Sequence, residues 1–256
     1  IVFDCVDKKI YVAGYNGNLY VFNGDSMRAP YKKLPIKLTE PCRMYHYEGS
    51  NLFYISQDKL GGIGTWLIVD KKGNLLFKIE NWAAEEIIPL ADDTFITAIR
   101  RTVYHLRYDK KKGGLDTINK VPLEANIEQG QKFVNHIQYD RRTNQVFVSD
   151  FASGKIYRTN LRTSEVRTLA RLKVGVRFLA HAPKYNVICV GNYLTGDLTV
   201  IQQHTGDILY SKNIGSRLRG VTLSQDGERV YAVSRGGVFE VNLGAIKISD
   251  IMDHRK

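Results

Sequence analysis

Short apolar runs, each broken by a polar or glycine-bearing turn, recur along the whole chain. Six of them align: Tyr11-Val12-Ala13-Gly14, Phe53-Tyr54-Ile55-Ser56, Phe95-Ile96-Thr97-Ala98, Phe147-Val148-Ser149-Asp150, Cys189-Val190-Gly191-Asn192 and Tyr231-Ala232-Val233-Ser234. Their first residues are 42, 42, 52, 42 and 42 positions apart, so the chain is a tandem repeat with one insertion of ten. Each unit opens with a first strand and a polar turn, such as Asp140-Arg141-Arg142 or Gln225-Asp226-Gly227. The aligned run is the second strand. A turn such as Asn16-Gly17-Asn18 or Thr195-Gly196-Asp197 leads to a third, and one such as Thr205-Gly206-Asp207 to a fourth. One such four-stranded unit cannot bury both faces alone and must stack on its neighbours. The pattern predicts one all-β domain over 1–256, a six-bladed β-propeller with blades near 1–42, 43–84, 85–133, 134–175, 176–217 and 218–256. Only Glu80-Asn81-Trp82-Ala83-Ala84-Glu85-Glu86 suggests a turn or two of helix.

Ser149-Asp150-Phe151-Ala152-Ser153-Gly154-Lys155-Ile156-Tyr157 and Val190-Gly191-Asn192-Tyr193-Leu194-Thr195-Gly196-Asp197-Leu198 resemble the repeats of YVTN/NHL/SMP-30-like propellers. Tyr11 to Phe22 also resembles quinoprotein repeats. The likeness covers the chain at the level of the repeat and implies the fold, since proteins of unrelated function share it. In such propellers the innermost strand of each blade begins at one face, and the turn between second and third strands returns to it. The 42-residue register then puts Arg43, Glu85 or Glu86, Asn135, Arg177 and Arg219 on that face, with Tyr15, Arg100, Asn192, Tyr193 and Arg235 in its turns. The ten-residue insertion, at about Glu124 to Lys132, opens onto the same face and reads as a lid or specificity loop.

Charge sharpens this picture. Lys and Arg outnumber Asp and Glu by 37 to 26, a formal charge of +11, which fits an anionic partner. Arginine offers planar, bidentate donation to carboxylate, sulfate or phosphate, and Tyr and Asn add stacking and adaptable hydrogen bonds. Arginines at strand starts also have a structural use, bonding backbone carbonyls around the channel. No run of eighteen apolar residues predicts a membrane span. The chain starts at Ile1 inside a strand-like run, so a leader or upstream segment is expected, and with a leader a secreted or periplasmic location. Cys5, Cys42 and Cys189 form no CxxC, leaving one disulfide with a free thiol, or three buried thiols.

Catalytic signatures are absent from the sequence: it has no nucleophile elbow, phosphate-binding loop or dinucleotide fingerprint. Gly61-Gly62-Ile63-Gly64 reads as a turn, and Lys110-Lys111-Lys112-Gly113-Gly114 as a solvated loop, with no nucleic-acid motif nearby. Lactonase-type six-bladed propellers hold a divalent cation with Glu, Asn and Asp. Glu85 or Glu86 and Asn135 match in type, but Arg177 and Arg219 would repel a cation. The expected function is therefore a non-catalytic binding or scaffold propeller without cofactor or metal, recognising an anionic ligand or protein partner through the Arg/Tyr face. The alternatives are a hydrolase or lyase with a channel-mouth metal site near Glu85, Asn135 and His136, and a propeller subunit of a larger assembly.

Overall fold

Among the described residues, twenty-three short strands form six antiparallel sheets. The computed structural model describes residues 1–246 except 15, 26–29, 31, 39–41, 58–63, 81–83 and 125–133, and the side chains of 42, 84, 85, 134 and 135 are also outside the described set. Sheet 1 joins β1 (Val2–Asp4), β2 (Lys9–Ala13), β3 (Asn18–Asn23) and β4 (Lys32–Lys37). Sheet 2 joins β5 (Cys42–His46), β6 (Leu52–Gln57), β7 (Thr65–Asp70) and β8 (Leu75–Glu80). Sheet 3 joins β9 (Ala84–Pro89), β10 (Thr94–Ile99), β11 (Thr102–Asp109) and β12 (Gly114–Pro122). Sheet 4 joins β13 (Val134–Asp140), β14 (Gln145–Asp150), β15 (Lys155–Asn160) and β16 (Val166–Arg171). Sheet 5 joins β17 (Val176–Ala182), β18 (Val187–Asn192), β19 (Asp197–Gln202) and β20 (Ile208–Asn213). Sheet 6 has three strands, β21 (Gly220–Leu223), β22 (Arg229–Ser234) and β23 (Gly237–Asn242).

Each sheet is a simple up-and-down meander, because every turn is short enough only for an antiparallel neighbour. Second strands are the most buried: β6 and β18 are buried at every position, whereas fourth strands such as β8 and β20 are mostly exposed. That gradient explains the sequence pattern. A strand covered on both faces reads as a continuous apolar run, and an outer strand need not. The helical suggestion over 80–86 fails. Glu80 ends β8 and Ala84–Glu86 opens β9, with 81–83 outside the described residues, so sheet pairing overrides the helix-forming Ala and Glu. Among the described residues the helical part is one 3-10 turn, Leu243–Ala245.

The chain divides into two compact units between Pro122 and Leu123, sheets 1–3 in the first and sheets 4–6 in the second. The first unit buries Phe53, Ile55, Leu19 and Leu34 between sheets 1 and 2, and Tyr54, Trp66, Phe95 and Leu106 between sheets 2 and 3. In the second unit, Phe147, Ile156, Leu179 and Ile188 join sheets 4 and 5, and Val187, Cys189, Leu218 and Val230 join sheets 5 and 6. The inserted residues lie in the link from β12 to β13, which has eleven residues against three to six elsewhere.

Cys5 is exposed and Cys189 buried, and both are free thiols. Burial pushes the Cys189 thiol up to about 12, so it behaves as a small apolar core residue. No helix among the described residues is long and apolar enough to cross a membrane.

Candidate functional site

A meander of this kind has two ends. Strands one and three start at one end, which also carries the turns between strands two and three and the links to the next sheet. The other end carries the turns between strands one and two and between three and four.

In the second unit the first of these ends is built around Tyr193. The turn after β18 is fixed by Asn192, whose Oδ1 accepts from the Leu194 and Thr195 amides and whose Nδ2 donates to the Lys173 and Val174 carbonyls. Asn192 is buried and engaged at both ends of its amide, so its side chain holds the turn against the link from sheet 4. Gly196 closes the turn at φ 76; its carbonyl accepts from the Ile214 amide, and a Cβ there would lie 2.0 Å from the Gly215 oxygen. Only glycine fits.

The bulge in β17 presents Arg177. Val176 pairs with Asn192 and Phe178 with Gly191, leaving Arg177 as the extra residue. Bulges re-aim a side chain, and the same irregularity recurs in β13 at Asn135, which sequence register had aligned with Arg177. The Arg177 guanidinium carbon lies 5.6 Å from the Phe178 ring centroid and 5.5 Å from that of Tyr193. Arg219, immediately before β21, stands 5.2 Å from the same Tyr193 ring. Two cations therefore share one aromatic side chain, although like charges repel. Stacking on the ring offsets part of that cost, by about 0.5–1 kcal/mol for each exposed pair.

Leu218 explains how the Arg219 segment is seated. It is fully buried and packs where Gly191 has no side chain: a Cβ at Gly191 would meet Leu218 Cδ2 at 2.6 Å and Val221 Cγ2 at 2.7 Å. Its neighbours Arg217 and Arg219 face solvent, Arg217 in the left-handed region at φ 54. The Arg235 amide donates to the Ser216 carbonyl, bringing a third exposed arginine to the same group of turns as half-buried Arg177. Among the described residues, none of Arg177, Arg217, Arg219 and Arg235 has a carboxylate partner. The Arg177 Nε–H is buried without a hydrogen-bond acceptor. Chemically, this end can donate several charge-assisted hydrogen bonds to an oxyanion.

Of the residues chosen from sequence, the structure thus brings Arg177, Tyr193, Arg219 and Arg235 together with Asn192 beneath them. Arg43 and Arg100 belong to the first unit. Arg43 is half-buried on β5 opposite Ser56, and Arg100 is exposed at φ 55 in the two-residue turn between β10 and β11. Tyr15 and the side chains of Glu85 and Asn135 lie outside the described residues, as do 125–132 of the inserted loop and 61–63 of the glycine-rich turn. Glu124, at the loop's base, accepts from Lys155 Nζ and Tyr157 OH. Sequence reading missed Arg217, and a non-repeating loop offers no register from which to find it.

His136, beside which the enzymatic alternative places its site, accepts the Leu179 amide on Nδ1. Among the described residues, no three His, Cys, Asp or Glu side chains group as a metal site. A cleft of about 470 Å³ lies outward of Asn192, lined by Arg171, Lys173, Asp197, Thr199, Ile208 and Ser211 among others. Its carboxylate, Asp197, is already held by Thr195, Asn213 and Lys173, which outweigh burial and keep it below the usual carboxylate range.

No family model matches this chain and no curated protein matches it, so the sheets and the arginine-bearing turns carry the functional reading by themselves.

Proposed function

We propose that the six sheets close as the blades of a six-bladed β-propeller, and that the chain is a non-catalytic binding module taking an anionic group at Arg177, Tyr193 and Arg219. Four repeat intervals of 42 residues out of five, and the same meander order in every sheet, with three strands described in the sixth, support the architecture. One observation carries the binding reading: two guanidinium groups converge on one tyrosine ring, and no carboxylate among the described residues neutralises either. A purely structural arginine would be expected to satisfy its donors on nearby carbonyls or acids. Those of Arg177 and Arg219 meet no acceptor among the described residues.

The test uses the whole chain and three probes: a sulfated oligosaccharide, a linear oligophosphate and poly-glutamate. Calorimetric titration should show binding of at least one probe that weakens with added salt and falls at least tenfold in Arg177→Ala/Arg219→Ala. Equal binding by the double variant, with its fold intact by circular dichroism, would remove the basis for this reading.

A further inference from the structure

Resting on the anion-binding reading, we infer that the occupant of this end is an acidic segment of a partner polypeptide that also carries an apolar side chain. The exposed apolar residues of the second unit lead to this. Among the described residues five large ones are exposed, Val174, Leu194, Ile208, Val233 and Val238, and all but Ile208 sit at the arginine-bearing end. Val174 and Leu194 are 50% and 54% exposed and belong to the turns that flank Tyr193. Val233 and Val238 face each other across the β22–β23 hairpin, directly beside Arg235.

Single exposed apolar residues on a surface need no explanation, but grouping with cations and an aromatic ring is different. Tyr and Arg, with Trp, are the side chains enriched at energetic centres of protein interfaces, and the contacts around them serve to exclude water. A sulfated sugar or a polyphosphate would be bound by the arginines alone and would gain nothing from Val174 or Leu194. An acidic peptide with a leucine or phenylalanine engages both.

The patch is also held in place before any partner arrives. Asn192 bonds the Val174 carbonyl and the Leu194 amide with one side chain. Gly175, at φ 102, leaves room for Leu194: a Cβ there would come within 2.7 Å of Leu194 Cγ. The Tyr193 amide donates to the Gly175 carbonyl, tying ring and apolar pair to the same link. Little ordering cost then opposes association.

The experiment compares two labelled peptides of equal length and charge by fluorescence anisotropy, one with two serines and one with two leucines at the same positions among glutamates, with the sulfated oligosaccharide as competitor. The full chain should bind the leucine-bearing peptide at least tenfold tighter, in line with burying one aliphatic side chain. Val174→Ser/Leu194→Ser should erase that preference while leaving the serine-bearing peptide's affinity unchanged. No preference, or one that survives in Val174→Ser/Leu194→Ser, would overturn the peptide inference, even with anion binding still lost in Arg177→Ala/Arg219→Ala. Failure of every probe to bind, or binding indifferent to the arginines, would instead overturn the underlying reading.

Discussion

The two ends of the second unit treat their arginines differently. At the end that carries the turns between strands one and two, charges are matched. Asp140 is buried and accepts from the Thr143 hydroxyl, the Arg142 amide and Nε, and Gln203. Gln203 in turn bonds His181 Nε2 at 2.8 Å, Arg142 reaches the Pro183 carbonyl, and Lys184 pairs with Glu228 at 2.6 Å. At the Tyr193 end, four arginines face no carboxylate among the described residues. One repeat built both ends, so the difference is not a consequence of topology. Matched charges stitch sheet to sheet at one end; at the other Lys173–Asp197 and Lys155–Glu124 are paired too, but the four arginines are left without a carboxylate among the described residues.

The first unit repeats the stitching. Asp4, at the same point of its sheet as Asp140, is fully buried, lies 3.4 Å from His46 Nε2 and pairs with Lys71 at 2.5 Å. His46 Nδ1 bonds the Leu52 carbonyl. Each of the two pairs links neighbouring sheets within one unit.

The largest expected effect is therefore at the matched end. Asp140→Ala would leave Gln203, Thr143 and the Arg142 amide without their acceptor, a loss of about 2–4 kcal/mol in unfolding free energy measured by urea denaturation. A loss as small as that of a surface substitution would show that the stitching contributes little. Gly191→Ala follows, at about 1–3 kcal/mol, because the new methyl must displace Leu218 and Val221. That change should also weaken anion binding by shifting Arg219, and so couples the core to the arginine-bearing end.

Acid should act next, and again on the matched end. Burial depresses the His181 pKa, with Gln203 and Asp140 countering only part of the effect and nearby Arg142 adding to it. The unfolded chain takes up that proton near pH 6.5 and the folded chain only lower, so stability is full above about 6.5 and erodes as pH falls. Burial would raise Asp140, but its hydrogen bonds outweigh it and hold the carboxyl low, so its contribution is lost at still lower pH. Denaturant midpoints between pH 8 and 5 should fall in wild type and fall less in His181→Gln. The smallest effect belongs to Arg177→Ala/Arg219→Ala, which should change unfolding free energy by no more than about 1 kcal/mol. A larger loss would make these arginines structural.

Much of this was legible in sequence because β strands buried on both faces write a periodic apolar signal. Phe147, Cys189 and Tyr231 mark that period, and counting back from them led to Arg177 and Arg219. The bulge at Arg177 was not legible, since pairing register leaves no mark on composition. Asn192 was ambiguous for a related reason: an Asn in a turn can face a ligand or cap the turn, and its four hydrogen bonds put it in the second role. His181 and Asp140 read as unrelated residues because they lie on different sheets, and only packing of one sheet on the next joins them.

The contrast between the ends can be measured directly by following arginine Nε–H signals in NMR during a phosphate titration. The signals of Arg177 and Arg219 should move together and saturate, while that of Arg142, bonded to Asp140, stays still. Uniform drift of all three, or no movement at Arg177 and Arg219, would contradict an anion site at the arginine-bearing end.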